Sequence, residues 1–256
     1  MKIIDIHTHT TSEDCKEWID YAKKLDVVMS CLLGDVLKYS YNQNENQVRE
    51  INDLTILLTK KYPSFFAGFC YLNPRNSKRF IQDEIERCVL KNGLSGIKLE
   101  ASTVASDKSV FEIADIAVEL DIPVLHHAFN TFTIGKNPSP SCYQTDPCDI
   151  AVLAKNFPKL KIIMAHLRGV DIRGIIEVKD YDNVLVDTSG AQPITGIIEY
   201  AVKKIGSERI LFGSDVYYPY GRDIPVQIKA VEAAKIKAKD KDNIFFKNAE
   251  RILRKW

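Results

Sequence analysis

No stretch of this chain approaches the roughly 18 consecutive apolar residues that a membrane-spanning helix needs, so no membrane segment is expected. Its six cysteines (Cys15, Cys31, Cys70, Cys88, Cys142 and Cys148) show no C-x-x-C spacing. Scattered thiols of this kind read as reduced small hydrophobes in a cytoplasmic protein. Charge of one sign is also missing: 35 basic and 34 acidic residues leave a net charge of +1. Without a basic stripe or an acidic tail, nucleic acid and membrane surfaces are poor partners, and a small molecule is the expected one. A single Lys precedes an extended run that already holds Asp5 and two histidines, which does not resemble a signal peptide. Neither a low-complexity linker nor a break in composition divides the 256 residues, so residues 1–256 read as one domain.

What the chain does have is a regular alternation. Short runs rich in Val, Ile and Phe occur at 3–9, 27–33, 65–72, 96–100, 122–128, 161–167, 183–189 and 209–215. Most are bounded by Gly, Pro, Asp or Asn, as buried strands are. Between them lie stretches with helical spacing, such as Trp18, Tyr21, Ala22 and Leu25, or Ile113, Ile116, Ala117 and Leu120. Eight strand–helix units in this length predict a single-domain α/β fold of the (β/α)₈ TIM-barrel type. An open doubly wound sheet would call for a Gly-rich phosphate turn after an early strand, and there is none.

Histidine is scarce: the five are His7, His9, His126, His127 and His166. All of them fall at the C-terminal end of an expected strand, the rim where barrel active sites are built. Strand alternation puts His7 and His9 on one face, with Ile3 and Asp5 expected on that face too and Thr8 pointing away. Asp215 ends the eighth strand, Lys98 and Glu100 share a parity on the fourth, and only one of His126 and His127 can face inward. Taken singly, each has a bland explanation: a packed imidazole, a Lys98–Glu100 pair filling the barrel, an Asp215 capping the next segment. Taken together they bring imidazoles and carboxylates to one rim, where burial without a ligand would be costly. Such a donor set suits Zn²⁺, Mn²⁺ or Fe²⁺.

Five motifs in order, DIHTH, PVLHH, FPKLKIIMAH, ILFGSD and NIFFKNAERIL, together with YLNPRN, resemble the amidohydrolase-related family of the metal-dependent amidohydrolase superfamily. The resemblance spans essentially the whole chain. It implies a divalent metal, foremost Zn with Mn or Fe as alternatives, one or two per chain, held by His7, His9, His127, His166 and Asp215. For the strand-four position it leaves Glu100 or Lys98, and Glu100, nearer the strand end, is the expected ligand. Asp215 and His166 take the catalytic roles, Asp215 moving a proton. A homodimer would suit the resemblance.

Arg168 follows His166 where the family often has glycines, and a guanidinium there would clamp a substrate carboxylate. Tyr217, with Tyr218, Tyr220 and Arg222, is expected near the rim as pocket wall. Segments 34–46 and 129–145 are candidate lids. The first functional expectation is a hydrolase that uses a metal-activated water on a small amide, lactone or ester. The alternative is a metal-dependent carbon–carbon lyase of the aminocarboxymuconate-semialdehyde decarboxylase type, in which Arg168 seats the departing carboxylate. A non-catalytic barrel is the third. Strand four discriminates the first two, because a bridging Glu100 belongs to a two-metal hydrolase.

Overall fold

In the computed structural model, which describes residues 1–39, 41–131, 144–190, 195–219 and 224–253, strands and helices alternate from end to end. The order is β1 (Ile3–Thr10), α1 (Lys16–Lys24), β2 (Val27–Leu32), α2 (Glu45–Lys61), β3 (Phe66–Leu72), α3 (Lys78–Ile85), β4 (Gly96–Leu99) and α4 (Lys108–Glu119). It continues with β5 (Val124–His126), α5 (Pro147–Asn156), β6 (Ile162–Met164), α6 (Leu167–Val178), β7 (Val184–Asp187) and α7 (Ile197–Ile205). It closes with β8 (Ile210–Leu211), β9 (Val216–Tyr218), α8 (Ile224–Ala233), α9 (Ala238–Asp242) and α10 (Asn248–Leu253). Local chemistry sets several starts. Asn44 with Gln47 and Asp146 with Asp149 form capping boxes at α2 and α5, satisfying backbone N–H groups that have no helical partner.

All strands are parallel in one sheet ordered β8-β7-β6-β5-β4-β3-β2-β1-β9. The nine pieces make eight barrel staves, because β8 and β9 are two halves of one strand interrupted at 212–215. Closure runs through that break. Ile6 N–H donates to Phe212 O at 2.9 Å, Asp215 N–H donates to His7 O at 2.8 Å, and β9 pairs with β1 above them. The tyrosines expected as pocket wall thus begin in a strand, β9. Of these, Tyr218 turns away from the barrel mouth to stack on Trp18 at 5.2 Å. Among the described residues no helix is long and apolar enough to cross a membrane. The five described cysteines are free, and Cys142 lies outside the described residues.

Two apolar layers follow the period-2 alternation of the strands. Leu125, Ile163, Ala165, Leu185 and Leu211 fill the barrel, while Leu99, Val124, Met164 and Val186 pack outward against helices. Strand β1 breaks the alternation. Ile4 and Ile6 belong to the inner layer and Ile3 to the outer one, so Ile3 does not share a face with His7 and His9, and neither does Asp5, which lies between Ile4 and Ile6 in the strand. The reason is a bulge: from Asp5 to Thr8, β1 advances three residues against Ser30 to Leu32 on β2. The extra residue switches the parity, and bulges commonly re-aim side chains beside active sites. Thr8 pairs with Leu32 and Val216, both of the outer layer, as expected for the residue between two inward rings.

His126 pairs with Leu99 and Met164 and faces the helices, its Nδ1 bonded to the His127 carbonyl at 2.8 Å. Burial, the main cause, lowers its pKa to about 4. The unfolded chain holds its histidines near ~6.5, so between those values the unfolded state binds more protons. Stability is expected to fall as pH drops from ~6.5 towards 4, by up to about 3 kcal/mol from this residue. Urea unfolding across that range checks it: His126→Gln should flatten the slope, and an unchanged slope would refute the assignment.

Candidate metal centre

At the C-terminal rim of the barrel, His7, His9, Glu100, His127, His166, Asp215 and Tyr217 line a cavity of about 290 Å³, with Val36, Leu37, Tyr41 and Phe129 as its apolar and aromatic walls. Each polar group arrives at a strand end, as the fold dictates. Two of them have backbones in the left-handed region, His166 at φ 66° and Asp215 at φ 56°. Such conformations are uncommon outside glycine and concentrate at functional sites.

Hydrogen bonds assign the imidazole hydrogens. His9 Nδ1 donates to Gly34 O at 2.7 Å and His166 Nδ1 to Ala128 O at 3.2 Å. A carbonyl only accepts, so the ring hydrogen is on Nδ1 and Nε2 is a bare lone pair. His7 Nδ1 donates to Asp187 Oδ2 at 2.8 Å. Burial raises the Asp187 carboxyl, but His7 and Ser189 outweigh it and bring its pKa to about 2.

The three Nε2 atoms then face Asp215: His7 at 3.4 Å, His9 at 3.5 Å and His166 at 3.6 Å. His7, His9 and Asp215 offer donor atoms all within 4.8 Å of one another. Burial lowers the pKa of His7, and it brings that of His166 down to about 3 with a further push from His127, so both are neutral near pH 7. Burial raises the Asp215 carboxyl, yet the surrounding histidines hold it well below its ordinary value. A carboxylate ringed by imidazole lone pairs is a set of acceptors facing each other, favourable only around a cation. The two nitrogens and carboxylate oxygen of His7, His9 and Asp215, with the His166 Nε2 beside Asp215, are donors of the type that suits Zn, Mn or Fe.

The other expected ligands make a separate cluster. Glu100 Oε2 lies 2.9 Å from Lys98 Nζ, and its Oε1 lies 2.7 Å from His127 Nδ1. Burial raises the Glu100 carboxyl, but His127 and Lys98 hold it well below its usual range. His127 Nε2 meets Gln144 Oε1 at 2.9 Å. Lys98 is fully buried inside the barrel. Glu100 and His127 thus stand in the cavity wall, paired with each other, rather than in the His7–His9–Asp215 group.

Arg168 stands elsewhere: its guanidinium bonds Gln227 Oε1, and it lines a different cavity with Gly196, Glu199 and Ala230. Tyr217 stacks on His9 at 5.3 Å, its hydroxyl donating to Asp35 and accepting from Leu37 N–H. It presents a ring face to the cavity. Tyr220, Arg222 and residues 132–143 of the second candidate lid lie outside the described residues. The residue missing from the sequence reading is Asp187. Its signal was available, since NVLVDTS places an acid at a strand end with the parity of inward Leu185. The carbonyls of Gly34 and Ala128 have no sequence signal.

The family model of amidohydrolases matches residues 4–255. The chain belongs to the amidohydrolase family. No curated protein sequence matches this amidohydrolase. Among solved structures it is similar to 5-carboxyvanillate decarboxylase from Sphingomonas paucimobilis, at 16% identity and TM-score 0.74 over 99% of both chains. It is likewise similar to 2,6-dihydroxybenzoate decarboxylase from Rhizobium, at 18% identity and TM-score 0.73 over 99% of both. A third is a dihydroxybenzoic acid decarboxylase from Polaromonas with bound manganese, at 17% identity and TM-score 0.72 over 99% of this chain and 97% of that one. At these identities the likeness establishes the barrel fold that the amidohydrolase shares with them.

Proposed function

We propose that this amidohydrolase is a single-metal carbon–carbon lyase that decarboxylates a small hydroxylated ring acid. One observation carries the choice over the hydrolase expected first. Both oxygens of Glu100 are taken, one by Lys98 and one by His127, so strand four offers no carboxylate to bridge a second metal. The similarity to enzymes that decarboxylate hydroxylated benzoates supports the same reading. His7, His9, His166 and Asp215 would hold a divalent metal, which when bound would supply Lewis-acid polarisation of a substrate oxygen.

The chain does the rest. Asp215, ionised and exposed to the cavity, accepts a proton from a substrate hydroxyl or water and returns it to the ring carbon that loses CO₂. Phe129 and the ring face of Tyr217 wall a planar molecule, in a space suited to one ring. Arg168, expected to seat the carboxylate, lines another cavity, and His127 with Glu100, itself paired with Lys98, forms a polar side of this one. The test is metal analysis followed by CO₂ release from 2,6-dihydroxybenzoate and related hydroxybenzoates. One metal per chain and CO₂ release are expected. Two metals per chain, or turnover of esters and lactones without CO₂ release, would return the assignment to a hydrolase.

A further inference from the structure

Asp187 is fully buried, and everything polar around it points to one task. Its Oδ2 takes the His7 Nδ1 hydrogen at 2.8 Å. Its Oδ1 takes the backbone N–H of His166 at 3.1 Å and of Ser189 at 3.0 Å, together with the Ser189 hydroxyl. A single carboxylate on β7 thus fixes the ring of a histidine on β1 and the backbone of another just past β6, at the residue whose φ is 66°. The other two metal-facing rings rest on neutral carbonyls, those of Gly34 and Ala128.

We infer that Asp187 is a positioning residue whose charge sets the metal affinity of the centre, by making His7 its strongest donor. An imidazole whose distal N–H meets a carboxylate is a more basic ligand than one resting on a carbonyl, and losing such a partner commonly lowers metal affinity about 10–100-fold. Charge reinforces the effect. Asp187 and Asp215 carry two negative charges beside three neutral rings, a balance for one dication, and Asp187→Asn removes half of it. The inference rests on the reading that His7, His9, His166 and Asp215 hold a metal.

The experiment is Co²⁺ titration of metal-free parent, Asp187→Asn and Asp187→Ala proteins, followed by calorimetry and by the visible d–d absorption of the bound ion. Asparagine keeps the size and an accepting oxygen, so it separates charge from shape. Asp187→Asn is expected to bind Co²⁺ about 10–100-fold more weakly, with a shifted d–d spectrum and an unchanged far-ultraviolet circular dichroism spectrum. Parental affinity and spectrum in Asp187→Asn would overturn the inference while leaving the metal reading intact. A parent that binds no Co²⁺ would overturn that reading and the inference with it. Should Asp187→Asn not fold, Asp187→Ala carries the test: Co²⁺ bound at least about 10-fold more weakly supports the role, and parental binding refutes it.

Discussion

Asp215→Asn is expected to lower turnover by about 10³-fold, the scale on which a positioned proton-transfer group contributes, equivalent to about 4 kcal/mol of barrier. The substitution is sterically quiet. Asn tolerates the left-handed backbone at least as well as Asp does, so the φ of 56° at this position adds little strain, whereas a β-branched residue would be strained there. What it removes is the ability to accept and return a proton, together with the negative charge that the three Nε2 atoms surround at 3.4, 3.5 and 3.6 Å. Metal analysis of the variant divides the two losses. A variant that keeps its metal and loses turnover assigns the proton role. One that loses both assigns Asp215 chiefly to holding the ion. Retention of a tenth or more of parental turnover would remove Asp215 from the chemistry altogether.

His9→Ala, and separately His7→Ala, should reduce metal affinity by more than about 100-fold, beyond what is typical for losing a residue that only supports a ligand. Both variants should remain folded. The layer beneath the site is apolar, built on Ile4, Ile6, Leu125, Ile163 and Leu211, and does not depend on either ring. The costs are local: His9→Ala leaves the Gly34 carbonyl without its ring donor, about 1–3 kcal/mol if water does not replace it. His7→Ala leaves Asp187 buried beside an empty space. Calorimetric metal titration with thermal unfolding of the metal-free proteins checks both halves. A His9→Ala protein that binds metal as tightly as the parent would reduce the His-Thr-His pattern to coincidence.

The alternation of buried runs with amphipathic segments determined the barrel by itself, because a strand buried on both faces and a helix buried on one have different periods. The same alternation put five histidines and Asp215 at strand ends, and so at one rim. Within β1 it failed. The bulge between Asp5 and Thr8 arises from how β1 must register against β2 while β9 closes on its other side, and pairing across the closed sheet has no local signature.

Tertiary structure alone decided what each rim residue meets there. His7, His9 and His166 share a residue type. Only their Nδ1 partners, a β7 carboxylate and carbonyls of the segments after β2 and β5, leave all three Nε2 lone pairs turned toward the Asp215 carboxylate. Glu100 has the right chemistry and parity for a ligand, yet Lys98 two residues before it and His127 on the neighbouring stave each sit against one of its oxygens. Arg168 follows a proposed ligand in sequence, but the left-handed turn at His166 opens α6 immediately and carries its guanidinium to Gln227. Spacing fixes which groups reach the rim. Which of them meet depends on contacts between residues as far apart in the chain as His7 and Asp187, which form only when the barrel closes.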